Sequence, residues 1–181
     1  MNKLILVTGH SGSGKSTIMK QLMDNEIISF TTRDKRVGEV EGSDYQFITL
    51  DRFYELKRDG ELIEYVEYSG NMYGITEGEL KEKTGRGHAF CIVDYHGMKQ
   101  MKEIYSNVST IFLYTDYDVA KQQMIDRGDP VDKVEERLST YDEELTHRHE
   151  YDYVIKNNNG RLHNTIEIIR HILESEIGAS Q

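Results

Sequence analysis

The chain is poor in the residues that staple or interrupt a fold, with one cysteine and one proline among 181 residues. A lone cysteine excludes an internal disulfide, and Cys91, set in the apolar run HAFCIVD, reads as a small core residue rather than a nucleophile. Such usage fits a reducing, cytoplasmic setting. A single proline, Pro130, leaves no proline-rich linker, and no repeat or low-complexity tract divides the chain. Long hydrophobic runs are also missing. The opening NKLILVTG has only a short apolar stretch before its glycine, so neither a signal peptide nor a membrane span is expected. Positive charge is scarce: 22 Lys and Arg stand against 32 Asp and Glu, for a net charge of −10. That balance argues against a broad nucleic-acid surface and leaves room for a small anion where the basic residues gather.

A chain of this length is expected to form one domain that buries roughly 70 % of the surface its unfolded form exposes. The runs LILV (4–7), AFCIV (89–93) and TIFLY (110–114) are short and partly β-branched and read as buried strands. Helical spacing lies around 15–24, 95–105, 117–127, 131–146 and 160–174. Strands alternating with helices predict an α/β fold with a parallel sheet covered on both faces. Residues 28–74 break the pattern: ISFTT, DYQFIT, ELIEYVEY and NMYGI are strand-like, with DRFYELKRDG as a helical insert. They predict a small, mostly antiparallel insertion. The charged, mostly helical stretch 115–150 reads as a lid.

Directly after the first strand, GHSGSGKST fits G-x-x-x-x-G-K-[ST] with Gly9, Gly14, Lys15 and Ser16. Glycines at 9, 12 and 14 let backbone amides converge on phosphate oxygens, and the helix that follows presents its positive end to the same anion. Ser11, Ser13 and Thr17 belong to the same nucleotide loop. Lys15 is expected to reach the β- and γ-phosphates of ATP, and the Ser16 hydroxyl to ligate Mg²⁺. A second basic cluster lies in TTRDKRVGEVEGSDYQF, residues 31–47. Arg33 and Arg36 are spaced to converge on one phosphate, Tyr45 and Tyr73 add hydroxyl donors, and Lys35 is expected to face solvent.

The order of these pieces resembles the guanylate kinase family over nearly the whole chain. It is carried by GHSGSGKST, by TTRDKRVGEVEGSDYQF (similar to T-T-R-x-x-R-x-G-E-x-x-G-x-D-Y-x-F without a gap), and then by ELIEY, GNMYG, CIVD, DRGD, EERL and YDYVIKNN. The resemblance implies a P-loop NTPase-type fold, with residues 1–27, 76–114 and 151–181 as core, 28–75 as the nucleoside monophosphate region and 115–150 as the lid. It also implies transfer of the γ-phosphoryl of ATP to GMP or dGMP. By similarity, Arg33, Arg36, Tyr45 and Tyr73 hold the acceptor phosphate, while Ser29, Glu64 and Asp94 read guanine, Asp94 alternatively positioning Mg²⁺. Arg127 and Arg137 close over the phosphates, and Asn157 contacts adenine. A carboxylate suits guanine's two adjacent N–H donors and mismatches the N1 acceptor of adenine.

Four features depart from the family pattern. DYHG stands where D-x-D-x-Q-G is usual, so Asp94 lacks a companion carboxylate. Ile75 replaces a small hydroxyl residue after MYG, which makes the adjacent Thr76 the candidate substitute. Gln123 replaces a lid arginine. The segment before TTR is short, which bears on the alignment of Ser29. All four fall on base reading or the lid, so kinase chemistry is a firmer expectation than GMP specificity. Two other readings are a kinase of another nucleoside monophosphate or a sugar bisphosphate, and a binding module that has given up catalysis. The retained Lys15 and Ser16 weigh against the module. Two phosphate sites that face each other imply closure, for which Gly70, Gly74 and the lid ends offer hinges.

Overall fold

The computed structural model describes residues 1–158 and 160–178. Eight strands and eight helices run in the order β1 (Leu4–Thr8), α1 (Lys15–Leu22), β2 (Phe30–Thr31), β3 (Gln46–Phe47), α2 (Leu50–Arg58), β4 (Leu62–Tyr68), β5 (Asn71–Thr76), α3 (Glu77–Arg86), β6 (Ala89–Ile92), α4 (Tyr95–Ile104), β7 (Val108–Tyr114), α5 (Tyr117–Asp126), α6 (Val131–Leu138), α7 (Tyr141–Thr146), β8 (Tyr153–Lys156) and α8 (Leu162–Ile177). A 3₁₀ turn, His147–Glu150, precedes β8.

The main sheet has the parallel order β6-β1-β7-β8. Its central strand explains the covering layers. Side chains alternate along a strand, so Leu4 and Leu6 pack with Ile27, Met98, Met101 and Phe112 on one face. Ile5 and Val7 pack with Ile18, Met19, Ile166 and Ile169 on the other. Each of these four side chains is fully buried, a gain of roughly 1.5–3 kcal/mol apiece. Helix α1 therefore lies on one face and α4 on the opposite one. The crevice between such oppositely directed connections, beyond the carboxyl ends of the strands, is where ligands of open α/β sheets bind.

The second sheet has the order β3-β2-β5-β4. Its β2–β5 and β4–β5 pairs are antiparallel, and β2–β3 is parallel. Ser69 (φ 48°) and Gly70 (φ 69°) make the two-residue turn of the β4–β5 hairpin, where positive φ at both positions suits the strand twist. Gly74 lies inside β5, where an added Cβ would sit 3.0 Å from the Glu64 carbonyl oxygen. Both expected hinge glycines thus have structural reasons to be glycine.

Several elements differ from expectation. ISFTT and DYQFIT shrink to two-residue strands, and in the loop between them the Val40 amide bonds to a side chain, Asp44 Oδ2, at 2.7 Å. The single helix expected over 131–146 splits into α6 and α7. At the break, Ser139 Oγ donates to Glu136 O at 2.6 Å and Thr140 Oγ1 to Glu144 Oε1 at 2.9 Å, the local competition typical of hydroxyl residues. Helix α3 was not anticipated. Two internal glycines and one buried apolar residue, Leu80, obscure its period, and it starts at Thr76, whose hydroxyl accepts from Glu79 N at 3.3 Å. Among the described residues no helix is long and apolar enough to cross a membrane.

Candidate active site

A cleft of about 860 Å³ opens at the carboxyl ends of β1 and β6, between the second sheet and the helices α5–α7. Its floor is the glycine-rich loop. Gly9 (φ +134°) packs where a Cβ would collide with the Leu113 carbonyl oxygen, and a Cβ at Gly12 (φ +77°) would lie 2.5 Å from Ala120 O. Helix α1 starts at Gly14 with no side-chain cap and no acidic residue in its first turn, which leaves its first amides and dipole to an anion. Lys15 Nζ donates to the carbonyl oxygens of Gly9 and, at 2.9 Å, His10. Burial pushes its ammonium down to about 8; Glu144 opposes that shift, while Arg127 and Arg137 add to it. An added phosphate would raise it again. Ser11, Ser13, Ser16 and Thr17 complete this wall of the cleft.

Two residues brace the loop from behind. His10 is fully buried, with Nδ1 3.0 Å from Ser11 O and Nε2 accepting from Thr115 N at 3.1 Å. Asn157 donates from Nδ2 to Ser13 O at 3.0 Å and accepts from Thr165 Oγ1 at 3.0 Å. It is buried and does not line the cleft, so the expected adenine contact is not what its surroundings supply. Its amide is committed to holding the loop.

The second basic cluster forms the opposing wall. Arg33 is buried: Nη2 donates to Glu39 Oε1 at 2.7 Å, Nη1 donates to Asp34 O at 2.6 Å, and its guanidinium lies 5.2 Å from the Tyr45 ring centre. Glu39 also accepts from Arg36 N through its other oxygen at 2.8 Å. One carboxylate therefore sets both the side chain of Arg33 and the loop carrying Arg36. Tyr45 and Tyr73 pack edge to face at 5.8 Å. Burial, reinforced by Tyr73, pushes the Tyr45 phenol up to about 12, so it stays a hydrogen-bond donor. Lys35 is exposed.

Glu64 and Asp94 face each other at the far end. A bulge between Leu62 and Glu64 shifts the β4 register, and Glu64 enters the cleft wall only 3 % exposed. Burial, then the Asp94 charge, pushes its carboxyl up to about 8. Asp94 caps α4 by accepting from Gly97 N at 2.7 Å, and Gly97 packs so closely that a Cβ would lie 2.5 Å from Glu64 Oε1. Ser29 also lines this end. Thr76 does not. Its hydroxyl caps α3, and Ile75 is fully buried in the core with Leu80 and Met98. The proposed exchange of Thr76 for a lost hydroxyl contact is therefore not realised in this geometry.

From the lid side, Arg127 and Arg137 reach the cleft. Both pair with Asp129, as does Arg36. Repulsion from Arg137, Arg33 and Arg127 adds to burial in pulling Arg36 down to about 10. One carboxylate thus holds three arginines at the edge of the cleft. Among the described residues, Arg137 Nε is buried with no partner, and the hydroxyls of Thr8 and Tyr151 have at most each other; all three residues line this cleft. Unpaired buried groups of this kind point to a polar ligand. Sequence reasoning missed Glu39, Asp129, Glu144 and the loop brace His10. Glu39 carried a signal as the fixed glutamate of the second motif, and Asp129 as the last residue of DRGD.

The guanylate kinase family model matches residues 1–176. The chain is 34 % identical to the guanylate kinase of Oceanobacillus iheyensis over 181 residues, covering 96 % of this chain and 87 % of that protein. The guanylate kinase of Streptococcus mutans is likewise 34 % identical, with 96 % and 86 % covered. The crystal structure of guanylate kinase from Anaplasma phagocytophilum superposes with a TM-score of 0.77 at 30 % identity, covering 99 % of this chain and 88 % of that one. With its fold, its two facing cationic walls and these relatives in agreement, the chain belongs to the guanylate kinase family.

Proposed function

We propose that the protein transfers the γ-phosphoryl group of ATP to GMP, giving ADP and GDP. The observation that carries this reading is the meeting of two separately anchored cation sets in one cleft: Lys15 on the glycine-rich loop, and Arg33 and Arg36 on the loop opposite. In this reading residues 28–75 bind the acceptor and 115–150 form the lid. The amides of Gly9 to Thr17 and the Lys15 ammonium hold the ATP phosphates. Arg33, Arg36, Tyr45 and Tyr73 hold the acceptor phosphate. One of its oxygens attacks the γ-phosphorus in line as the bond to the β,γ-bridging oxygen breaks, and no proton need move. Arg36, Arg127 and Arg137 neutralise charge spread over the transferred group, the main demand of phosphoryl transfer. Ionised Glu64 accepts from guanine N1 and N2, with Ser29 and Asp94 beside it.

The donor set suits Mg²⁺ carried in on ATP. The Ser16 hydroxyl and the Asp94 carboxylate are hard oxygen ligands in the cleft, and no described group of three or more His, Cys, Asp or Glu could hold a metal without the nucleotide. An ion held there would supply positive charge to offset that of the phosphates. Asn157 supports the ATP site through the loop it braces. The buried thiol of Cys91 accords with a cytoplasmic location.

A coupled ADP-release assay over GMP, dGMP, AMP, CMP, UMP and ribose phosphates tests the reading, with Lys15→Ala as the inactive control. Turnover is expected with GMP or dGMP in preference to the others, and no turnover with any acceptor would refute it.

A further inference from the structure

Asp129 lies between α5 and α6, with its side chain only 4 % exposed, and three arginines from different parts of the chain converge on it. Arg127 grips it as a fork, Nε to Oδ1 at 3.2 Å and Nη2 to Oδ2 at 2.5 Å. Arg36, from the acceptor loop, brings Nε to 3.4 Å of Oδ1. Arg137, from α6, brings Nη1 to 3.6 Å of Oδ2. Each carboxylate oxygen is thus shared by two guanidinium groups. Among the described residues, Arg36–Asp129 is the one ion pair that joins residues 28–75 to residues 115–150.

Three guanidinium groups this close repel one another, and without an anion at their centre they would separate. Phosphate brings such an anion only once substrate is bound. We propose that Asp129 is a positioning residue that gathers Arg36, Arg127 and Arg137 at the place of phosphoryl transfer and ties the lid to the acceptor loop before the phosphates arrive. This rests on the kinase reading for its catalytic consequence, but not for the tie itself. The carboxylate works as an internal template. Its fork orients Arg127, and its shared oxygens fix the spacing of the other two. Groups placed in advance need not reorganise as charge moves in the transition state.

Two measurements test this. Spin labels on Val40→Cys and Val131→Cys, both exposed positions outside the cleft wall, report the distance between acceptor loop and lid. Cys91 is buried with its thiol pushed well up by burial, so the introduced cysteines take the labels. A narrow distance distribution is expected, broadening to longer distances in Asp129→Asn. Arg36→Gln, which breaks the same bond from its other side, should broaden it likewise and serves if Asp129→Asn fails to fold. In steady-state assays Asp129→Asn should lose roughly 10²-fold in kcat at saturating ATP and GMP, with Asp129→Glu recovering part. A purely structural role would lower the melting temperature and leave kcat per titrated active site unchanged. An unchanged distance distribution, or a kcat within about threefold of the parent where misplaced groups cost far more, overturns the inference. A parent that fails to turn over GMP refutes the kinase reading instead, and the distance measurement still decides the tie.

Discussion

Replacing Glu64 by glutamine should make the protein more stable, and increasingly so as pH rises. The Glu64 carboxyl is 3 % exposed and faces Asp94, so burial and then that like charge push it up to about 8. The folded state therefore holds a proton that the unfolded chain releases in the ordinary carboxylate range. Stability falls wherever the folded state binds more protons, so this contribution is fully present below the unfolded value and is lost as pH rises through the folded one. Holding the proton from the ordinary carboxylate range up to about 8 amounts to roughly 3–5 kcal/mol across that window. Glutamine keeps the shape without the charge. Urea denaturation should find Glu64→Gln within about 1 kcal/mol of the parent at pH 5 and roughly 3–5 kcal/mol more stable at pH 9. Guanine recognition runs the other way, because its N–H donors need the ionised carboxylate. GMP affinity, followed by calorimetry, should rise with pH toward 8, approaching tenfold per unit as binding releases the proton, whereas Glu64→Gln should bind GMP weakly at every pH and lose less with AMP. A stability difference that does not change with pH, or a flat pH profile of GMP affinity in the parent, would refute this account.

Arg33→Ala removes the guanidinium that holds Glu39 and should raise the KM for GMP by a factor corresponding to roughly 1.5–3 kcal/mol for a lost charge-assisted bond, with the KM for ATP little changed; an unaltered GMP KM would count against the acceptor assignment. In Gly97→Ala the added methyl meets the Glu64 carboxylate oxygen at 2.5 Å and the Val93 Cβ at 3.2 Å, so the carboxylate must shift and the KM for GMP should rise by more than any loss of stability explains; unchanged kinetics would argue that Glu64 does not contact the base. Asn157→Ala unties the glycine-rich loop from α8 and should cost about 1–3 kcal/mol in stability and weaken ATP more than GMP, as read by separate titrations.

The main sheet was legible where a strand is buried on both faces, because LILV, AFCIV and TIFLY must then be apolar throughout. The edge strand β8 (Tyr153–Lys156) has one such buried residue, Ile155, and Val154 is exposed, so its run carries little signal. GHSGSGKST was legible for another reason: an anion held by successive backbone amides needs only consecutive residues in the right conformation. The second basic motif could be read in the same way, since Arg33, Arg36 and Glu39 meet within one loop.

What the sequence alone determined, then, are the features written in consecutive residues: the apolar runs of a covered α/β sheet, a phosphate loop and a cluster of arginines. Tertiary structure alone decided which of the remaining candidates share the cleft. Asn157 meets Ser13 across 144 positions and turns inward to the loop. Thr76 is claimed by α3, a helix whose period the sequence hides. Asp129, visible in the sequence only as the end of DRGD, becomes a centre for three arginines because α5, α6 and the acceptor loop converge on it. Such roles depend on which distant groups desolvate and charge one another, and spacing along the chain does not encode that.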